Sequence, residues 1–237
     1  MKIAVVGANG FVGSAICAAI YGMSEHTLIK VLRGDDLEDK FNQSDLIIYS
    51  ANPAGRFRAE SNQHQDFLDT VEKTSKVLSL AANKKVIMIS SLSCRTQLDT
   101  SYGRNRRSCE LLALAQGAVV IRLGPMFGGD RKQDVLHDIL ASRKVYVAAS
   151  TRYSYTDVEW NGREITTFIA AKSGIYELGA NNAVSLGYLS DLFNSSSEFQ
   201  GADDTQIANC DTRPAGPDAT LIIKYAEREF LNIDNWK

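Results

Sequence analysis

Short apolar runs at 2–6, 27–32, 45–50, 85–90 and 118–122 read as strands, and longer mixed stretches at 11–22, 61–82 and 102–116 read as helices between them. Strands this short, separated by helices of this length, predict an α/β fold with a doubly wound parallel sheet and right-handed crossovers. Between Leu32 and Asp45 there is little room for another helix and strand, so this part of the sheet is abbreviated. After Gly128-Gly129 the pattern changes to helices over 133–142, 185–193 and 218–231, short strands at 144–148 and 174–178, and a polar stretch from Ser195 to Pro217. The last helix is amphipathic, with Leu221, Ile222, Tyr225 and Phe230 available for packing.

The first strand runs directly into Gly7-Ala8-Asn9-Gly10-Phe11-Val12-Gly13, followed by an alanine-rich helix. The spacing is G-x-x-G-x-x-G. Gly7 permits the tight turn, Gly10 lets backbone approach a pyrophosphate, and Gly13 lets the helix pack close to the sheet with its N-terminal N–H groups toward the anion. The turn therefore predicts dinucleotide binding on a Rossmann-type fold. The expected organisation is a dinucleotide-binding domain over 1–128, to which later segments can return, and a small α+β substrate-binding cap region over 129–237.

A net charge of -2 and a pI near 6.0 provide no basic field for nucleic acid, and Arg104, Arg106 and Arg107 form only a short cluster. Cys17, Cys94, Cys109 and Cys210 lack C-x-x-C spacing, which predicts reduced thiols in a cytoplasmic protein. Lys2 before an apolar run mimics a signal peptide, but three glycines and Asn9 interrupt that run. No segment has the roughly 18 uninterrupted apolar residues of a membrane span. His26, His64 and His137 are scattered, without metal-ligand spacing, and read as surface or helix positions.

Three further segments occur in order: Ile87-Met88-Ile89-Ser90-Ser91, Tyr102-Gly103-Arg104-Asn105-Arg106, and Arg122-Leu123-Gly124-Pro125-Met126-Phe127-Gly128. Together with the glycine turn, Tyr155-Thr156-Asp157-Val158-Glu159, Gly174-Ile175-Tyr176-Glu177-Leu178-Gly179 and Val184-Ser185-Leu186, they make the chain resemble the extended short-chain dehydrogenase/reductase family of the NAD-dependent epimerase/dehydratase type. The resemblance covers most of the first 195 residues.

It implies that Tyr102 is the general acid or base, that Ser91 binds the reacting oxygen with Ser93 as its substitute, and that residue 106 holds the cofactor ribose. Residues four apart lie on one helix face, so positions 102 and 106 look the same way. Residue 106 is Arg where the family has Lys. Arginine supplies the charge, but its planar fork is larger than an ammonium. The family's asparagine on the long helix is replaced by Thr70.

The resemblance further assigns the dinucleotide to Gly7, Asn9, Gly10, Phe11, Val12, Gly13, Asp36, Leu37, Ala51, Tyr102, Arg106 and Pro125. Arg33, at the end of the second strand where an acidic residue would bind the ribose hydroxyls of NAD, favours the 2′-phosphate of NADP. Arg131 and Arg152 are the candidates for a substrate diphosphate, ahead of Asp157 and Glu159.

The expected activity is that of an NADP- or NAD-dependent oxidoreductase or epimerase acting on a keto or hydroxyl group of a nucleotide-linked sugar or similar small carbonyl substrate. A homodimer is the expected assembly, with no nucleic-acid or membrane partner and no metal. The rival reading is a non-catalytic NADP-binding sensor or scaffold, favoured by the missing lysine. Leu92-Ser93 after Ser91 argue against a dehydratase, which needs an acidic pair there.

Overall fold

The computed structural model describes residues 1–81, 83–131, 133–209 and 216–231. The chain opens with β1 (Lys2–Val6), α1 (Phe11–Tyr21), β2 (Thr27–Val31), α2 (Leu37–Asn42) and β3 (Leu46–Tyr49). Next come α3 (Arg56–Ser61), α4 (Gln63–Phe67), a π turn (Leu68–Glu72), α5 (Lys73–Leu80) and β4 (Lys85–Ser91). After α6 (Ser93–Thr96), α7 (Ser101–Ala115) and β5 (Val119–Leu123) lie β6 (Met126–Phe127), α8 (Val135–Leu140), β7 (Arg152–Tyr153) and β8 (Thr156–Asp157). The chain continues through α9 (Val158–Thr167), β9 (Gly174–Leu178), β10 (Val184–Ser185), α10 (Leu186–Leu192) and α11 (Leu221–Phe230).

Two compact units result, one of Met1–Leu123 with Glu159–Glu177, the other of Gly124–Val158 with Leu178–Lys237. The division falls between Leu123 and Gly124, and Glu159–Glu177 belongs to the first unit. The return has a packing cause. β9 joins the sheet beside β5, and Gly162 on α9 lies so close to Ala15 of α1 that a Cβ would come within 2.5 Å of the Ala15 carbonyl oxygen.

The first unit is a Rossmann-type α/β fold whose sheet has the order β2-β1-β3-β4-β5-β9. The pairs β1·β2, β1·β3, β3·β4 and β4·β5 are all parallel. β3 and β5 are buried throughout, as expected of central strands covered by helices on both faces. The strand order reverses between β1 and β3, which places a crevice at their carboxyl ends.

Between β2 and β3 there is no further strand among the described residues, only the six-residue α2, so β2 is the sheet edge. The helix expected at 61–82 runs without a gap from Gln63 to Leu80, with a π turn inside it. Asn62 (φ -143°, ψ 75°) leaves helical geometry and caps α4 through the Gln65 N–H.

In the second unit Phe127, Leu136, Ile139, Leu186, Leu189 and Ile222 pack in one core. β7 pairs antiparallel with β10, and β6 parallel with β8. No strand forms at 144–148. Val145 makes an isolated bridge to Phe199, and bends follow it. Among the described residues no helix is long and apolar enough to cross a membrane, and no group of His, Cys, Asp and Glu could hold a metal. Cys17, Cys94 and Cys109 are buried free thiols, whereas Cys210 lies outside the described residues.

Candidate functional site

The glycine turn lies where the strand order reverses. Gly7 leaves β1 with φ +83°, a left-handed conformation that glycine adopts without steric cost. A Cβ there would stand 2.8 Å from the Ser50 carbonyl oxygen and 2.9 Å from Ala51 Cα, at the end of β3. Gly13 is equally constrained, because a Cβ would run into the Gly7 carbonyl oxygen. Gly10 caps α1 without a side-chain oxygen, and no acidic residue occupies the first turn. Asn9 and Gly10 are exposed, with Phe11 and Val12 half-buried behind them. This cradle, open at Gly10 and closed at Gly7 and Gly13, fits the phosphates of a dinucleotide at a helix N-terminus.

The ends of β2 and β3 flank the turn. The Gly7 N–H donates to the Val31 carbonyl at 3.2 Å, and Arg33, two residues on, is exposed. Asp36 caps α2, its Oδ1 accepting from the Glu38 and Asp39 N–H groups at 3.0 and 3.3 Å. That oxygen is committed to the cap, and Leu37 beside it is half-buried. On the other side, the Lys73 ammonium donates to the Ala51 carbonyl at 3.3 Å.

The proposed catalytic groups lie on β4 and α7, which pack together. Ser91 ends β4, and its Oγ is 3.3 Å from both the Oγ and the N–H of Ser93. Ser93 is fully buried. Thr100 caps α7 by accepting from the Gly103 N–H at 3.0 Å, and Glu60 accepts from the Ser101 and Tyr102 N–H groups at 2.6 and 3.3 Å. The glycine after Tyr102 is required by packing. A Cβ on Gly103 would be 2.8 Å from the Ser93 carbonyl oxygen, so the two motifs touch through backbone.

Arg106 is 2% exposed and does not present a free fork. One terminal nitrogen donates to Thr70 Oγ1 at 2.9 Å, the other to the Pro53 carbonyl, and the guanidinium carbon lies 4.6 Å from the centroid of the Tyr102 ring. Each terminal nitrogen thus has one protein acceptor, out of the five N–H groups a guanidinium carries. Thr70, buried on the π turn, is the side chain that accepts from this arginine.

Behind Ser91 lies an ion network not anticipated from the motifs. Glu110, fully buried, accepts from Arg122 Nε and Nη2 at 2.8 and 2.7 Å, from Arg107 at 2.9 Å and from Ser90 at 2.8 Å. Arg122 also reaches Glu177 at 3.1 Å, and Arg95 grips the same carboxylate with two bonds. Burial alone would raise the Glu110 pKa, but the bonds from Arg122 and Arg107 hold it below the ordinary value of 4.5. An arginine inside the fully buried strand Val119–Leu123 is the signal in the sequence, since a charge there requires a partner. Burial and Glu110 push the neighbouring Cys94 thiol up to about 12, which makes it an inert thiol.

In the second unit the Pro125 carbonyl accepts from the Thr156 N–H at 3.2 Å. Arg131 lies 4.0 Å from Asp134, and Arg152 is exposed on β7. Asp157 packs near Gly128, whose Cβ position is 3.2 Å from Asp157 Oδ1, and Glu159 is exposed on α9. His137 is on a helix as expected but buried, with Nδ1 2.7 Å from Asp134 Oδ1.

The fold and these positions define a Rossmann-type α/β protein with a glycine cradle at the carboxyl ends of its strands. No family model and no curated protein sequence matches the chain. Solved structures do match its fold. MoeE5 in complex with UDP-glucose and NAD has a TM-score of 0.75 at 16% identity, covering 97% of this chain and 99% of that one. UDP-glucuronic acid 4-epimerase from Bacillus cereus, in complex with UDP-glucuronic acid and NAD, has a TM-score of 0.73 at 16% identity over 100% of both chains. For dTDP-4-dehydrorhamnose reductase from Yersinia enterocolitica the score is 0.72 at 16% identity, over 95% of this chain and 98% of that one.

Proposed function

We propose that the chain is an NAD(P)-dependent oxidoreductase or epimerase of the short-chain dehydrogenase/reductase type, acting on a keto or hydroxyl group of a nucleotide-linked sugar or a similar small carbonyl substrate. The observation that carries this reading is the glycine cradle at the reversal of strand order, with Ser91 ending β4 and Tyr102 opening the helix that follows. The nucleotide sugars and NAD named in the matching structures support the substrate and cofactor classes.

When bound, a nicotinamide supplies or accepts the hydride. Ser91 holds the reacting oxygen by a hydrogen bond, and the Tyr102 hydroxyl gives or takes the proton at that oxygen. Arg106 sets the Tyr102 ring and places positive charge on its face. Arg33 favours NADP, and Arg131 and Arg152 serve a substrate diphosphate. Phe67, Leu111 and Leu112 expose apolar surface on the first unit and support a homodimer, which sedimentation tests. The buried free thiols are consistent with a cytoplasmic protein.

A second reading, a dinucleotide binder without turnover, is favoured by one observation: both terminal nitrogens of Arg106 already have acceptors. Calorimetry with NADP and NAD, paired with nicotinamide absorbance during incubation with UDP- and dTDP-keto sugars, separates the two. Binding with turnover supports the enzyme. Tight binding with no turnover on any of these substrates leaves the binder, and no dinucleotide binding overturns both.

A further inference from the structure

Two cations flank the glycine turn at the carboxyl edge of the sheet. Lys73, the first residue of α5, donates its ammonium to the Ala51 carbonyl at 3.3 Å. Ala51 is also the residue whose Cα a Cβ on Gly7 would meet at 2.9 Å, so this ammonium is anchored to the segment that floors the turn. On the opposite flank, Arg33 follows Val31, whose carbonyl accepts from the Gly7 N–H at 3.2 Å. The two side chains sense each other. Burial and then repulsion from Arg33 lower the Lys73 pKa, against the pull of Asp69.

Asp69 does not neutralise the pair, because it is bound to Arg58 at 2.6 Å. Among the described residues neither Arg33 nor Lys73 has a carboxylate within ion-pair distance, and both are exposed. Like charges on the two flanks of one turn repel, and an anion that reaches both relieves that repulsion. A phosphate monoester, with a charge of about -1.5 to -2 and three acceptor oxygens, suits an arginine fork and a lysine point charge together.

We infer that Lys73 and Arg33 form a two-cation site for a phosphate monoester on the adenosine ribose of a bound dinucleotide, which makes Lys73 a specificity-determining residue for NADP. The inference rests on the dinucleotide-binding reading above. A bridging pyrophosphate is common to NADP and NAD, so a cation that reads it affects both cofactors alike. A cation that reads the ribose phosphate affects NADP alone.

The test is calorimetry on the full chain with NADP, NAD and 2′,5′-ADP. Lys73→Gln should weaken NADP and 2′,5′-ADP by about tenfold and leave NAD nearly unchanged, with the NAD affinity reporting that the variant is folded. Lys73→Arg should retain most of the NADP affinity because it keeps the charge. Added salt should narrow the NADP-over-NAD gap more in the wild type than in Lys73→Gln, since exposed charges are screened. Equal loss for NADP and NAD, or no loss for either, overturns the inference while leaving dinucleotide binding intact. A wild type that binds neither dinucleotide overturns the inference together with the reading beneath it.

Discussion

The Arg106 guanidinium stacks on the ring of Tyr102, its central carbon 4.6 Å from the ring centroid, while its terminal nitrogens reach Thr70 and the Pro53 carbonyl. One buried cation thus ties α7 to the π turn and to the segment after β3. An ammonium is a point donor on a flexible stem and cannot keep both acceptors and the stacking geometry. Arg106 therefore acts as a brace for the tyrosine.

If Arg106 is this brace, Arg106→Lys and Thr70→Val should each lower stability by about 1–3 kcal/mol, because each leaves a buried polar group without its partner. A double-mutant cycle by thermal denaturation should give less than the sum of the two losses. Strict additivity would mean that the Thr70 contact contributes nothing.

The three glycines of the turn should fail in different ways. At Gly10 a Cβ meets only the Gly7 carbonyl oxygen, at 3.1 Å, and the backbone (φ -76°, ψ 166°) is extended, so Gly10→Val should fold. Its side chain would enter the cradle and abolish dinucleotide binding. At Gly13 a Cβ collides with backbone, so Gly13→Ala should lower the melting temperature before any question of binding arises. Circular dichroism melts and calorimetry on both variants check the contrast, and unchanged dinucleotide affinity in Gly10→Val would count against the cradle.

The sheet was legible in the sequence because its central strands are buried on both faces and read as apolar runs, and the cradle because at Gly7 and Gly13 only glycine tolerates the contacts. The second unit was less so. β6, β7, β8 and β10 have two residues each, too few for any periodicity to register. The orientation of Arg106 was not legible either, since the Pro53 carbonyl it meets is set by the path of the loop after β3. Lys73 lies three residues beyond Thr70, but nothing in its neighbours marks it as reaching the Ala51 carbonyl.

The Glu110 network gives the protein a definite acid response. A carboxyl held below its ordinary pKa contributes stability that is complete above the unfolded-chain value and is lost as pH falls through the folded value. Wild-type stability should therefore decline below about pH 4.5. Glu110→Gln should cost roughly 3 kcal/mol at pH 7, because Arg122 and Arg107 lose their counter-ion, and its deficit should shrink as the pH falls below 4.5. Urea midpoints at neutral and acid pH test this, and a constant deficit would show that the charge of Glu110 is not what the network uses.

Tyr102 decides between catalyst and binder. Its ring is 7% exposed and carries Arg106 on one face, so Tyr102→Phe keeps the packing surface and the cation stack while removing only the hydroxyl. Cofactor affinity should stay nearly intact, and turnover on a nucleotide keto sugar should fall by about two to four decades, the usual contribution of a positioned proton donor. Ser91→Ala should act in the same direction by a smaller factor, because it removes one hydrogen bond to the reacting oxygen and no transferable proton. If Tyr102→Phe retains wild-type turnover, the proton is handled elsewhere and the assignment of this tyrosine fails. A loss of NADP affinity equal to the loss of turnover would instead make Tyr102 part of the cofactor seat, with its hydroxyl spent on binding and not on the chemical step.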